Sequence, residues 1–170
     1  KKIVEIKDFS NLLHKNASNY VMLLNRTFEK EKVNCALLRL NILGKFDTFI
    51  PLFLAILSHK GFKKEFLVPI CEILEVFCLK VYIFGNKKSN TGNSVINEFA
   101  HKVFSNKLNF TELKSKLRDL VKDKSKLNQA EIRNSILNKS VYNDLQENII
   151  KLLLYDYETY LQKDQKYKYE

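Results

Sequence analysis

The side chains of this 170-residue chain that could do chemistry are cationic rather than catalytic. Between His101 and Lys126 lie Lys102, Lys107, Lys114, Lys116, Arg118, Lys122, Lys124 and Lys126, against Glu112, Asp119 and Asp123. Lys114, Arg118 and Lys122 recur every four residues, so a helix would set them on one face as a ridge. Such a ridge can track a phosphate backbone, with affinity that falls steeply in salt. The same spacing also makes an ordinary solvated helix face. Lys124 and Lys126 extend the set of candidate nucleic-acid contacts. Phe110, just ahead of the ridge, is the aromatic residue at hand for stacking on bases.

Other reactive residue types are present without the spacing that reactions need. His14, His59 and His101 are far apart in sequence, and none has a carboxylate at ligand spacing. The three cysteines, Cys35, Cys71 and Cys78, fall inside apolar helical runs, where a thiol acts as a small buried hydrophobe. With no close CxxC pair and no clustered histidines, no zinc site is expected. An odd count of buried thiols suits a reducing compartment. The chain carries no Walker lysine loop, GxGxxG, GxSxG or HExxH. Neither are acidic residues paired for general acid–base work. No catalytic residue, metal or cofactor is therefore expected within this segment.

Composition bounds the elements that must position these groups. Four glycines and two prolines are too few for a many-stranded fold, and the expected class is all-α. The formal net charge of +10 invites a nucleic-acid reading. Yet only Arg26, Arg39, Arg118 and Arg133 among 29 basic residues are arginines, the type best suited to bidentate phosphate contacts. The lysine excess, alongside many asparagines, also fits the compositional bias of an AT-rich genome. The N-terminal residues Lys1 to Asp8 lack the apolar core of a signal peptide. Glu72, Glu75 and Lys80 interrupt the apolar run from Phe66 to Phe84, which reads as a core helix rather than a membrane span. A cytoplasmic location is expected. The absence of an initiator methionine suggests a segment of a longer protein.

Periodicity predicts an irregular bundle of about seven helices around a central apolar helix over 46–58. The first helix is expected from Asp8, as N-cap, to Glu31, burying a stripe of Phe9, Leu12, Leu13, Tyr20, Leu24 and Phe28. A second, over 33–43, stops at Gly44. In the third, Thr48 serves as cap and Pro51 falls in the first turn. The fourth spans 63–84, where Pro69 must either kink it or mark its true start. After a polar loop, Asn93 or Ser94 caps the fifth. Two short helices follow, opened by Asn109 or Thr111 and by Asn128 with Glu131 in a capping box. An amphipathic helix over 141–162 ends a single helical domain, 1–162, and a charged linker occupies 163–170.

The run Thr48-Phe49-Ile50-Pro51-Leu52-Phe53-Leu54 and the stretch from Lys80 through Tyr82, Ile83 and Gly85 to Thr91, Asn93 and Asn97 resemble the helical middle region of GmrSD-type restriction enzymes. Relatives carry two arginines where this chain has Lys80 and Val81. Glu131-Ile132, Ile136-Leu137 and Val141-Tyr142 resemble the segment before the family's final helix, so the likeness spans about 40–165. Pro51, Lys80, Tyr82, Gly85, Asn93 and Asn97 are its marker residues. The resemblance implies a bacterial, modification-dependent (type IV) phage-defence endonuclease. In it, the helical region joins an N-terminal ParB-like domain to a C-terminal HNH nuclease domain. Nucleotide and divalent metal would belong to those two domains, and residues 163–170 would lead toward the second. On this reading the segment is non-catalytic; it links and positions its neighbours and contacts DNA. The rival expectation is a stand-alone helical adaptor for a protein partner. A third is an independent nucleic-acid binder working through the lysine ridge.

Overall fold

Helix boundaries here follow local chemistry closely. A computed structural model describes residues 2–125, 127–138 and 145–165, and every regular element among them is helical. The helices are α1 (Lys2–Asn25), α2 (Glu31–Ile42), α3 (Phe46–Ser58), α4 (Leu67–Phe77), α5 (Asn93–Phe104), α6 (Phe110–Ser125), α7 (Gln129–Asn138) and α8 (Glu147–Gln165). A 3-10 turn, Lys64–Phe66, precedes α4, and a π-helical turn, Cys78–Ile83, follows it. The all-α class expected from composition is the class observed.

The predicted Asn128–Glu131 box forms, and Asn109, one of the two expected openers of α6, makes a second box with Glu112. The Asn109 amide donates to Glu112 Oε2 and the Glu112 amide to Asn109 Oδ1, both at 3.0 Å, opening α6. Asn128 and Glu131 do the same for α7 at 2.7 and 2.9 Å. Each box satisfies two otherwise orphaned donors at a helix start. Gly44 ends α2 as expected: its amide reaches Asn41 O at 2.9 Å, and that of Lys45 reaches Leu40 O. Pro69 marks the true start of α4, lying in its first turn after the 3-10 segment.

Three starts differ from the sequence reading. Helix α1 begins at Lys2, so Asp8 is interior, and it stops at Arg26 (φ 52) rather than continuing to Glu31. Phe28 then lies outside the helix, held by Asn34 in both directions: Phe28 N–H donates to Oδ1 at 3.0 Å and Nδ2 donates to Phe28 O at 2.8 Å. Helix α3 starts at Phe46 without a side-chain cap, so Thr48 is within its first turn and Pro51 in the second. The cost of that proline is small because it is solvent-exposed, as is Asp47, whose carbonyl loses its helical partner. Helix α5 is capped by Gly92 at φ 85, not by Asn93 or Ser94.

The chain groups into two compact units, Lys1–Lys126 and Leu127–Glu170. In the first, the main packing pairs α3–α5, α5–α6, α6–α4, α4–α2 and α2–α3 close a circuit around one core. Helix α1 joins it chiefly through α3. The core is filled from α3 by Phe46, Phe49, Leu52, Phe53, Ala55 and Ile56, and from α4 by Leu67, Ile70, Cys71, Ile73, Leu74 and Phe77. Burial of each large side chain stabilises by about 1.5–3 kcal/mol, so the centre is shared between α3 and α4. In the second unit α8 buries Ile149 and Leu152. The predicted start of the last helix at Val141 and the tail from residue 166 lie outside the described residues.

The stripe expected to bury α1 is largely exposed. Phe9, Leu13, Tyr20 and Leu24 are 63%, 58%, 42% and 40% accessible, while Leu23 is fully buried. Periodicity located an apolar face correctly, but a different edge of the helix meets the core.

Gly92 is a backbone position between α4 and α5 where a core side chain leaves no room for a Cβ. Its positive φ suits glycine, and a Cβ there would stand 2.8 Å from Phe77 Cζ in the core. Gly92→Ala should therefore cost about 2 kcal/mol, combining left-handed strain with displacement of the ring. Urea unfolding would show it as a lowered midpoint at unchanged slope; an unaltered midpoint would show that this contact carries no strain.

Candidate nucleic-acid interface

The α4–α5 connection is built around aromatic and backbone contacts that fix where Lys80 stands. In the π turn, Phe84 N–H donates to Leu79 O at 2.8 Å, five residues back. Val81 faces inward and is fully buried. Gly85 lies against that turn, where a Cβ would meet the carbonyl oxygens of Lys80 and Val81 at 2.5 and 2.8 Å. Tyr82 stands perpendicular to Phe77 at 5.4 Å between centroids. Its hydroxyl donates to Thr91 O at 2.7 Å and lies 3.4 Å from Asn93 Oδ1. Lys45 Nζ caps the ring at 4.6 Å from its centroid. Tyr82, Gly85 and Asn93 thus serve as a clasp that closes the loop.

The clasp leaves Lys80 half-buried at the mouth of a cleft between α4 and α6. Ile73, Val76 and Val121 form the apolar part of this cleft of about 420 Å³, and Lys80, Arg118, Lys122 and Glu72 the polar part. Helix α6 supplies its two cations because Leu113, Leu117 and Leu120 turn its other side into the core, with Val121 at the boundary. Lys80 and Arg118 make no ion pair among the described residues, and Lys122 has only Asp119 at 4.0 Å, with both side chains largely exposed. In the sequence Lys80 and the α6 cations stand about forty residues apart. The structure brings them to one cleft.

The remaining candidates are placed elsewhere. Lys114 leans over the Phe110 ring at 5.4 Å, and Lys124 pairs with Asp123 at 2.7 Å. Lys126 lies outside the described residues. Phe110 is stacked on Phe66 at 3.9 Å and meets Phe62 edge-on, so its faces are engaged in packing. Pro51 and Asn97 line another cleft, of about 540 Å³, between α3 and α5 with Leu54, Ala100, His101 and Phe104. The marker residues therefore divide among a clasp, a cationic cleft and an apolar cleft.

The cysteines, histidines and carboxylates are placed as follows. Cys35 is exposed, contrary to the sequence reading, because α2 turns Ala36 and Leu37 inward instead. Burial pushes the thiols of Cys71 and Cys78 up, with Glu75 adding to the rise in each, and Cys78 reaches about 12. His59 Nδ1 accepts from the Gly61 amide at 2.9 Å. No group of three His, Cys, Asp or Glu side chains converges as a metal site among the described residues. Glu75 is instead forked by Arg39, with Nε–Oε2 at 2.8 Å and Nη2–Oε1 at 2.5 Å, tying α2 to α4. No described helix is long and apolar enough to cross a membrane.

Comparisons with protein-family models, with curated proteins and with solved structures return no match.

Burial, and secondarily the neighbouring Cys78, raises the Tyr82 hydroxyl from its usual value near 10 to about 12. A raised folded value means the folded state holds this proton more tightly. The stabilisation is complete below pH 10 and is lost as pH rises toward 12. Tyr82→Phe should cost about 1 kcal/mol at neutral pH through the lost Thr91 bond. The gap between wild type and variant should then narrow above pH 10. Parallel stability profiles through that range would show that Tyr82 titrates as in the unfolded chain.

Proposed function

We propose that this chain is a non-catalytic helical domain of a GmrSD-like restriction nuclease, one that positions neighbouring catalytic domains and touches DNA phosphates through Lys80, Arg118 and Lys122. The observation that carries this reading is the convergence of Lys80, from the stretch most like the family, with the two α6 cations. Three cations from two elements, held on a core-packed helix and a clasped turn, suit positioning contacts to a sugar–phosphate backbone, which need no base recognition. The net charge of +10 adds a long-range attraction for the same partner. Phe110 is engaged in packing, which favours a duplex backbone over stacked single-stranded bases.

A stand-alone adaptor for a protein partner is the second reading, favoured by the exposed apolar face of α1. The two readings predict different surfaces.

Fluorescence anisotropy with a labelled duplex across a salt series separates specific placement from general charge. Three phosphate contacts imply a slope of about −3 in log affinity against log salt. Replacing Lys80, Arg118 and Lys122 together by glutamine should remove most of that slope. Replacing Lys7, Lys60 and Lys63 by glutamine, an equal loss of charge elsewhere, should leave most of it. Equal effects from the two triple variants would overturn the assignment to this cleft.

A further inference from the structure

Helix α1 is amphipathic in a direction its own unit does not use. At about 100° per residue, Phe9, Tyr20, Leu13, Ile6 and Leu24 fall within about 60° of arc. That arc is centred about 80° round the helix from Leu23, the residue buried against the core. Ile6 is 67% exposed and Val21, beside the stripe, 53%. The edge that meets α3 is by contrast polar. Asn16 Oδ1 accepts from Ser58 Oγ at 2.5 Å, Lys15 Nζ donates to Ser58 O at 3.3 Å, and buried Asn19 Nδ2 has no partner. A 24-residue helix gains most of its stability from burying its apolar face, and α1 buries little of it within the unit.

We propose that the chain self-associates through α1, two copies pairing antiparallel about a two-fold axis near residue 15. The stripe itself points to a second copy, because it reads nearly the same from either end. Ile6 answers Leu24, Phe9 answers Tyr20, and Leu13 answers the small, exposed Ala17. This is the self-complementarity that an isologous contact requires. A parallel pair would instead set Phe9 on Phe9 and leave a gap at Ala17. Antiparallel packing also opposes the helix dipoles favourably. The five stripe residues, with Val21 beside them, present on the order of 600 Å² per chain, against the ~800 Å² per partner of a standard interface. None of Lys80, Arg118 or Lys122 lies on α1, so this inference stands apart from the DNA reading.

Sedimentation velocity on the full chain over a wide concentration range should give twice the chain mass at the upper end. Phe9→Glu with Leu13→Glu should give the monomer at every concentration, with the helical circular-dichroism signal largely kept. For orientation, a Cys35→Ser background carrying Ile6→Cys would be mixed with one carrying Leu24→Cys. On oxidation the mixed disulfide should dominate over either homodimer. A wild-type monomer throughout, or a dimer indifferent to the two glutamates, overturns self-association through α1. Homodimeric cross-links at position 6 overturn the antiparallel arrangement.

Discussion

The contact on which the first unit most depends is the Phe77 ring packed against Gly92. Phe77 is the last residue of α4, and Gly92 caps α5. Between them the chain runs through a π turn and a polar loop, then reverses to bring α5 onto α3, the largest packing pair in the unit. Without a Cβ at residue 92 the ring can come within contact of the backbone. Tyr82, perpendicular to that ring and bonded to Thr91 O, locks the same junction from the other side. The junction also bears on the exposure of residues 80 and 81: a one-residue shift in the turn would replace buried Val81 with Lys80 in one direction and with Tyr82 in the other. The position of a surface charge is thus set by an interior packing contact.

Legibility from sequence followed the range of the interaction. Asn128–Glu131 and the stop at Gly44 are complete within a few residues, and each was readable; Asn109 was read as one of two openers of α6, without its partner Glu112. The α3 core was also readable, since Phe46 to Leu57 is apolar beyond what one packed face requires. Helix α1 was harder, because a 3.6-residue period shows that a face is apolar but not which partner covers it. Cys35 was misread for a related reason: α2 spends its inward positions on Val33, Ala36, Leu37 and Leu40. The Gly92 cap was hidden by Asn93 and Ser94, which are better capping residues by type. The left-handed backbone there and the Phe77 contact, fifteen positions earlier, together favour the glycine.

The candidate site was half legible. Spacing alone puts Arg118 and Lys122 on one helical face, while Lys80 was singled out through its resemblance to an arginine position. Nothing local in the sequence joins them, because the link passes through α4–α6 packing and an unusual five-residue hydrogen bond. Lys114 fits the same spacing but is drawn toward Phe110, whose ring belongs to a cluster with Phe62 and Phe66. The resulting surfaces differ in kind: a cleft rimmed by cations between α4 and α6, an uncharged cleft between α3 and α5, and a bare apolar stripe on α1. The proposed linking role would use such distinct faces, charge for a phosphate backbone and apolar area for protein.

The most direct measurement is an amide chemical-shift titration of the isotope-labelled chain with a short DNA duplex at low salt. The account predicts shifts concentrated at Lys80, Arg118, Lys122 and the Tyr82–Asn93 junction, with the α3–α5 cleft around Asn97 and Phe104 unmoved. Shifts scattered over exposed lysines on every face, or concentrated at the Asn97 cleft, would contradict it.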